Sequence, residues 1–136
     1  MRTLLALARS VTVGVFCLAF LVGCGSSDGG GAKLAPVTGK VLFKNEGVTA
    51  ASIYFHPDKE KGNRGEMATA VLQLDGSFTM TTYPKGDGVV PGSYKVSFDL
   101  GRRTEKELVP YRSEKTTPVS IDVPEEGVEG IIFELK

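Results

Sequence analysis

Ala68-Thr69-Ala70-Val71-Leu72-Gln73-Leu74-Asp75-Gly76-Ser77-Phe78-Thr79-Met80 is the stretch whose register decides the fold. Apolar residues alternate up to Leu72, turn residues follow, and the alternation resumes at Phe78 and Met80. A two-residue Asp75-Gly76 hairpin would pair Phe78 with Gln73 and Met80 with Val71, leaving Leu72, Ala70 and Ala68 facing solvent. A three-residue loop, Leu74-Asp75-Gly76, pairs Gln73 with Ser77 instead. Leu72 then falls opposite Phe78, and Ala70 opposite Met80, on one apolar face. One residue of slip turns a whole strand over, so the hydrophobic pattern selects the three-residue loop. Gly76 then takes the left-handed position that closes a type I turn with a G1 bulge.

The same period of two runs outward from this hairpin. Val37, Gly39, Val41 and Phe43 share a face, against Thr38, Lys40 and Lys44. Ala51, Ile53 and Phe55 alternate with Ser52, Tyr54 and His56. Tyr94, Val96 and Phe98 form another run, followed by Val119, Ile121 and Val123, and then by Ile131, Phe133 and Leu135. No helical period competes after residue 36. Seven short strands separated by Gly- and Pro-rich turns predict an all-β fold, a β-sandwich with one buried face per sheet.

The connections carry their own expectations. Tyr83-Pro84-Lys85-Gly86-Asp87-Gly88 reads as a loop, and Pro91-Gly92 as a type II turn. Tyr94 has inward parity, so its ring enters the core while its hydroxyl seeks a backbone carbonyl near the corner, as in Greek-key sandwiches. Arg102-Arg103-Thr104-Glu105-Lys106-Glu107 reads as a solvated mixed-charge connection.

Upstream of the strands the composition changes twice. Gly25 to Pro36 is a Gly/Ser-rich linker, with a root-mean-square reach of about 20 Å and a taut limit near ~40 Å. Before it, Arg2 and Arg9 precede an apolar run from Val11 to Val22 that ends in Leu21-Val22-Gly23-Cys24. This run is shorter than the roughly 20 apolar residues a spanning helix needs, and no basic stop-transfer cluster follows it. A basic start, an apolar middle and a small residue before the cut describe a secretory leader. The last four residues resemble the bacterial lipobox, with cleavage between Gly23 and Cys24 and lipid on the Cys24 sulfur. Two acyl chains, at about 0.8 kcal/mol per buried methylene, suffice for stable anchoring. The expected organisation is residues 1–23 as leader, 24–36 as lipidated cysteine and linker, and 37–136 as one sandwich domain. Gly25 offers no aspartate-type retention signal, which favours the outer membrane within the cell envelope.

Composition narrows the chemistry. Sixteen basic and 16 acidic residues balance in the whole chain. Loss of Arg2 and Arg9 with the leader leaves a formal charge of −2, so nothing suggests a nucleic-acid partner. Of the two cysteines, Cys17 leaves with the leader and Cys24 is consumed by lipid, so no disulfide, thiolate or cysteine metal site is expected. His56 is the single histidine and reads as a surface residue before Pro57. A catalytic zinc usually takes three protein ligands, often histidines, and a Ser-His-Asp site would need His56 as base with a nucleophile elbow that is absent. No catalytic residue, metal or cofactor is therefore expected.

Several marks together resemble a known family. They are Val37-Thr38-Gly39-Lys40-Val41, Ile53-Tyr54-Phe55-His56-Pro57, Leu74 to Met80, Thr81-Thr82-Tyr83 and Gly86-Asp87-Gly88. Pro91-Gly92-Ser93-Tyr94-Lys95-Val96 and Ile132-Phe133-Glu134-Leu135 complete the set. This order is similar to small planctomycete-type bacterial lipoproteins with a carboxypeptidase regulatory-like, transthyretin-like domain. The resemblance covers nearly all of residues 37–136 and implies a seven-stranded Greek-key sandwich in the envelope, with no established reaction. Two departures lie in loops: Lys44-Asn45-Glu46-Gly47 replaces an Asp-Gly turn, and Pro110-Tyr111 is tighter than the usual spacing.

Two functional classes follow. One is a non-catalytic structural or protein-interaction module held at the membrane by lipid on Cys24. The other is a ligand-binding module, glycan-binding through the loop aromatics Tyr83 and Tyr111. With no Trp in the chain the platform for sugar stacking is thin, which favours the first.

Overall fold

The computed structural model describes residues 33–83 and 88–136. The leader, Gly23, Cys24, most of the linker and the Pro84 to Asp87 part of the predicted loop lie outside the described residues. Eight strands form two four-stranded sheets: β1 (Val37–Phe43), β2 (Glu46–Gly47), β3 (Ser52–Pro57), β4 (Ala68–Val71), β5 (Ser77–Thr79), β6 (Gly92–Asp99), β7 (Ser120–Val123) and β8 (Val128–Leu135). Seven of these fall where the alternation placed them. The eighth, β2, is a two-residue piece made by a tight turn in which Lys44 and Asn45 have φ of 53° and 67°. That pair of positive angles closes a two-residue hairpin with Phe43 opposite Glu46.

In the first sheet β1 is central. β8 runs parallel to it on one edge, and β5 and β2 share the other. The second sheet has the order β4-β3-β6-β7, antiparallel throughout. The inward-parity residues of both sheets make one core. Phe133 of β8 is at its centre, stacked on Phe78 at 6.0 Å and edge-on to Phe55 and Phe98 at 6.2 Å each. Offset and edge contacts of this kind add to the stabilisation from area burial.

The decisive register is the predicted one at its turn. The Gln73 amide donates to the Ser77 carbonyl at 2.8 Å, and the Gly76 amide donates to the Gln73 carbonyl at 2.9 Å. Gly76 has φ 81°, and a Cβ there would meet the Val41 carbonyl oxygen at 2.5 Å. What differs is the partnership beyond the turn. β4 pairs with β3 in one sheet, and β5 pairs with β1 in the other. Leu72 and Ala70 therefore enter the core from the opposite sheet to Phe78.

One connection differs from expectation, and another, unburied over residues 102–107 as expected, runs into an element that the alternation did not show. Gly92 is already the first residue of β6, with φ 151°, rather than the second corner of a type II turn. A Cβ at Gly92 would lie 2.8 Å from the Asn63 side-chain nitrogen, so close packing of the 58–65 loop explains this glycine. The mixed-charge stretch leads into a 3₁₀ segment, Lys106–Arg112, that buries Leu108 and Tyr111. A three-residue spacing eclipses side chains in a 3₁₀ helix and puts both on one face. The Tyr94 hydroxyl behaves as expected, donating to the Val90 carbonyl at 2.6 Å.

Candidate functional site

Where β4 leaves β5 for its own sheet, a seam opens. At its far end Thr69 and Thr81 exchange two backbone hydrogen bonds, at 3.0 and 2.9 Å. This pair keeps the register set at Gln73 and Ser77. Between the two ends Val71 falls opposite Thr79, and no hydrogen bond joins them. Pairing in antiparallel ladders alternates, so the direction of their backbone groups is fixed. Leu72 donates to Ala51 on the β3 side, and Met80 donates to Val37 on the β1 side. The N–H and C=O of Val71 and Thr79 consequently point into the seam.

A trough of about 880 Å³ lies over this seam. Thr38, Thr69, Ser77, Thr79 and Thr81 line it, together with Gln73, Val71 and Ile132. Lys40 is the one charged residue among the described residues of the lining. Its ammonium lies 3.6 Å from Asp75, whose carboxylate also accepts from the Ser77 hydroxyl at 2.6 Å and the Ser77 amide at 3.0 Å. These bonds from Ser77, with Lys40 as a smaller contributor, hold the Asp75 carboxyl below the usual carboxylate range. The turn end of the trough is thus rigid and polar.

Two exposed aliphatic side chains border the same feature. Among the described residues six large hydrophobics are exposed. Val71 (69% exposed) and Ile132 (62%) line the trough, Leu74 sits in its turn, and Met67 and Tyr83 flank it in sequence on the two strands. Exposed aliphatic side chains beside a polar trough are a mark of a contact site.

The opposite sheet carries a second cluster. His56 Nε2 is 2.7 Å from Ser97 Oγ, and His56 Nδ1 is 3.2 Å from Glu114 Oε2. His56, read from the sequence as a surface residue, is a part-buried bridge between β3, β6 and the segment after the 3₁₀ helix. The order hydroxyl, imidazole, carboxylate matches that of a hydrolase triad. Ser97, however, is only 4% exposed and lies mid-strand. Asp58 donates to Ser93 further along the same ladder, so by alternation the Ser97 amide is spent on Tyr54. In this arrangement a substrate carbonyl has neither access to Ser97 Oγ nor a free amide from Ser97 to receive its oxyanion. The geometry ties the 113–117 segment to the sheet.

The aromatic pair expected to stack on sugars is not assembled. Tyr111 is buried at 7% exposure, edge-on to Phe98, with its hydroxyl donating to the Lys136 carbonyl at 3.3 Å and accepting from the Lys136 amide at 3.1 Å. Tyr83 is exposed, beyond Thr81. Among the described residues no group of three or more His, Cys, Asp or Glu side chains converges as metal ligands. Cys24 and Gly23 are not among the described residues. No family model matches the chain, and no match is found among curated proteins or solved structures.

Proposed function

We propose that this chain is a lipid-tethered protein of the bacterial envelope whose sandwich acts by contact, without catalysis, through the trough over the β4–β5 seam. The occupant is an extended segment of an envelope polypeptide that carries an acidic side chain. The observation that carries the proposal is the coincidence of unpaired backbone groups at Val71 and Thr79 with the exposed side chains of Val71 and Ile132. A polypeptide offers both the donors and acceptors that an unpaired strand requires and the apolar side chains that aliphatic surface accepts. Lys40, the one charge among the described residues of the lining, is shared with Asp75 at 3.6 Å but exposed enough to turn to an anionic partner. The exposed residues of the trough are aliphatic rather than aromatic, which suits a protein more than a sugar ring.

The tether is the Cys24 lipid. The finer fold assignment, a transthyretin-like Greek key, is supported by the Tyr94 hydroxyl bonded to the Val90 carbonyl.

Binding of the full chain to envelope protein fractions, measured beside a glycan array, tests the reading. The expected result is a protein ligand whose binding weakens in Lys40→Glu and persists in Tyr83→Ala. Specific glycan binding that is lost in Tyr83→Ala would replace it with the glycan-binding alternative.

A further inference from the structure

His56 is the only histidine of the chain, and it joins two parts of the fold that are otherwise separate in sequence. Ser97 on β6 holds one ring nitrogen, and Glu114 holds the other. Glu114 belongs to a strap that begins with the buried Leu108 and Tyr111 and ends where the Thr117 hydroxyl donates to the Val96 carbonyl at 2.6 Å. A neutral ring meets both neighbours with one proton, donating from Nδ1 to Glu114 and accepting from the Ser97 hydroxyl at Nε2. A protonated ring also meets both, because the Ser97 hydroxyl rotates and its oxygen becomes an acceptor. No heavy atom has to move. The difference is charge: the proton turns the contact with Glu114 into an ion pair.

The surroundings make that difference specific to the closed strap. Tyr54 stands beside the ring on β3, with centroids 6.3 Å apart. Asp58, Lys59 and Glu60 face the cavity next to His56 from the following turn, Lys95 from β6, and Glu114 and Lys115 from the strap. Lys95 pairs with Glu60 at 4.0 Å, and Asp58 accepts from the Glu60 amide at 3.1 Å. Lys59 and Lys95 oppose a charged ring whether the strap is closed or lifted. On the strap itself Lys115 opposes one and Glu114 favours one, and of the two it is the Glu114 carboxylate that touches the ring, at 3.2 Å.

We propose that His56 is a proton-operated clamp that holds the 106–117 strap against the second sheet more tightly when the ring is charged. The clamp gains strength when the ring takes up a proton and loses it when the Glu114 carboxylate is neutralised. Glu114 is half exposed, so water screens the pair and the effect is modest.

The full chain in detergent micelles tests this by NMR, with the single histidine read directly while pH runs from 5 to 8.5. Hydrogen exchange at the Lys136 amide, which donates to the Tyr111 hydroxyl of the strap at 3.1 Å, reports strap opening after correction for intrinsic rates. Protection is expected to rise about two- to five-fold as the ring becomes charged. Glu114→Gln, a change at an exposed site, is expected to abolish that rise, and His56→Gln to do the same. Protection that ignores the ring's titration in the unaltered chain, or a pH dependence that survives in Glu114→Gln, overturns the proposal.

Discussion

Val71 faces Thr79 in the register of a hairpin, yet their backbones do not bond to each other. The rungs on either side, Gln73 with Ser77 and Thr69 with Thr81, are made. The gap is therefore a local opening between two sheets and not a slip. Val71 projects outward at 69% exposure, so Val71→Lys is expected to change stability by no more than about 0.5 kcal/mol. The same substitution is expected to weaken binding of the polypeptide partner at least tenfold. A chemical melt beside a binding titration separates the two effects.

Gly76 is expected to be the least replaceable residue of the decisive turn. It holds φ 81° with the Val41 carbonyl, the Gly47 Cα and the Val48 amide packed around its open side. Gly76→Val is expected to cost at least ~1–2 kcal/mol, from the backbone strain and the clash together. Urea unfolding measures this, and an unchanged midpoint would mean that the turn has another shape.

Asp75, beside it, is expected to tolerate Asn, which keeps the acceptor for Ser77. The folded state holds this carboxyl below its ordinary value through the Ser77 bonds. Its contribution is therefore present above the unfolded carboxylate range and is lost as pH falls below it. The acid limb of a stability profile is expected to flatten slightly in Asp75→Asn.

Much of the fold was legible from parity alone, because a sandwich strand with one buried face must alternate. Ile53, Phe55, Val96, Phe98 and Phe133 are all buried where alternation put them. The hairpin register was legible because only one register buries Leu72 with Phe78. What the sequence does not display is which sheet each arm joins, since an alternating strand pairs equally well on either edge. The seam between Val71 and Thr79 was invisible for that reason. The His56 cluster was hidden differently: Ser97 is 41 residues from His56 and Glu114 is further still, so no local spacing brings them together. Tyr111 looked like a loop aromatic because a 3₁₀ segment with Pro110 inside it carries too short a period to read.

Tyr94→Phe is expected to remove the bond to Val90 and cost about 1 kcal/mol at neutral pH. Burial raises the Tyr94 phenol above its ordinary value of 10.0, against a smaller lowering by Asn63. The unfolded chain then ionises first, so this contribution is complete below about pH 10 and is lost as pH rises towards the folded-state value. Stability measured at pH 7 and again above pH 10 is expected to fall less in Tyr94→Phe than in the unaltered chain.

Cys24→Ser is expected to abolish metabolic labelling of the chain with a radioactive fatty acid and to release the domain from the membrane fraction. The motive is the Leu21-Val22-Gly23-Cys24 sequence at the end of an apolar leader. Label that persists on the variant would remove Cys24 as the anchor.

The claim that the trough is the contact surface is tested most directly by a photoreactive residue placed at position 71 of the full chain in living cells. Position 109, an exposed apolar site away from the trough, serves as the control. Position 71 is predicted to give a discrete adduct with a polypeptide, weakened by Ile132→Lys on the facing side of the trough, while position 109 gives none. Equal adducts from both positions, or no protein adduct from position 71, would contradict it.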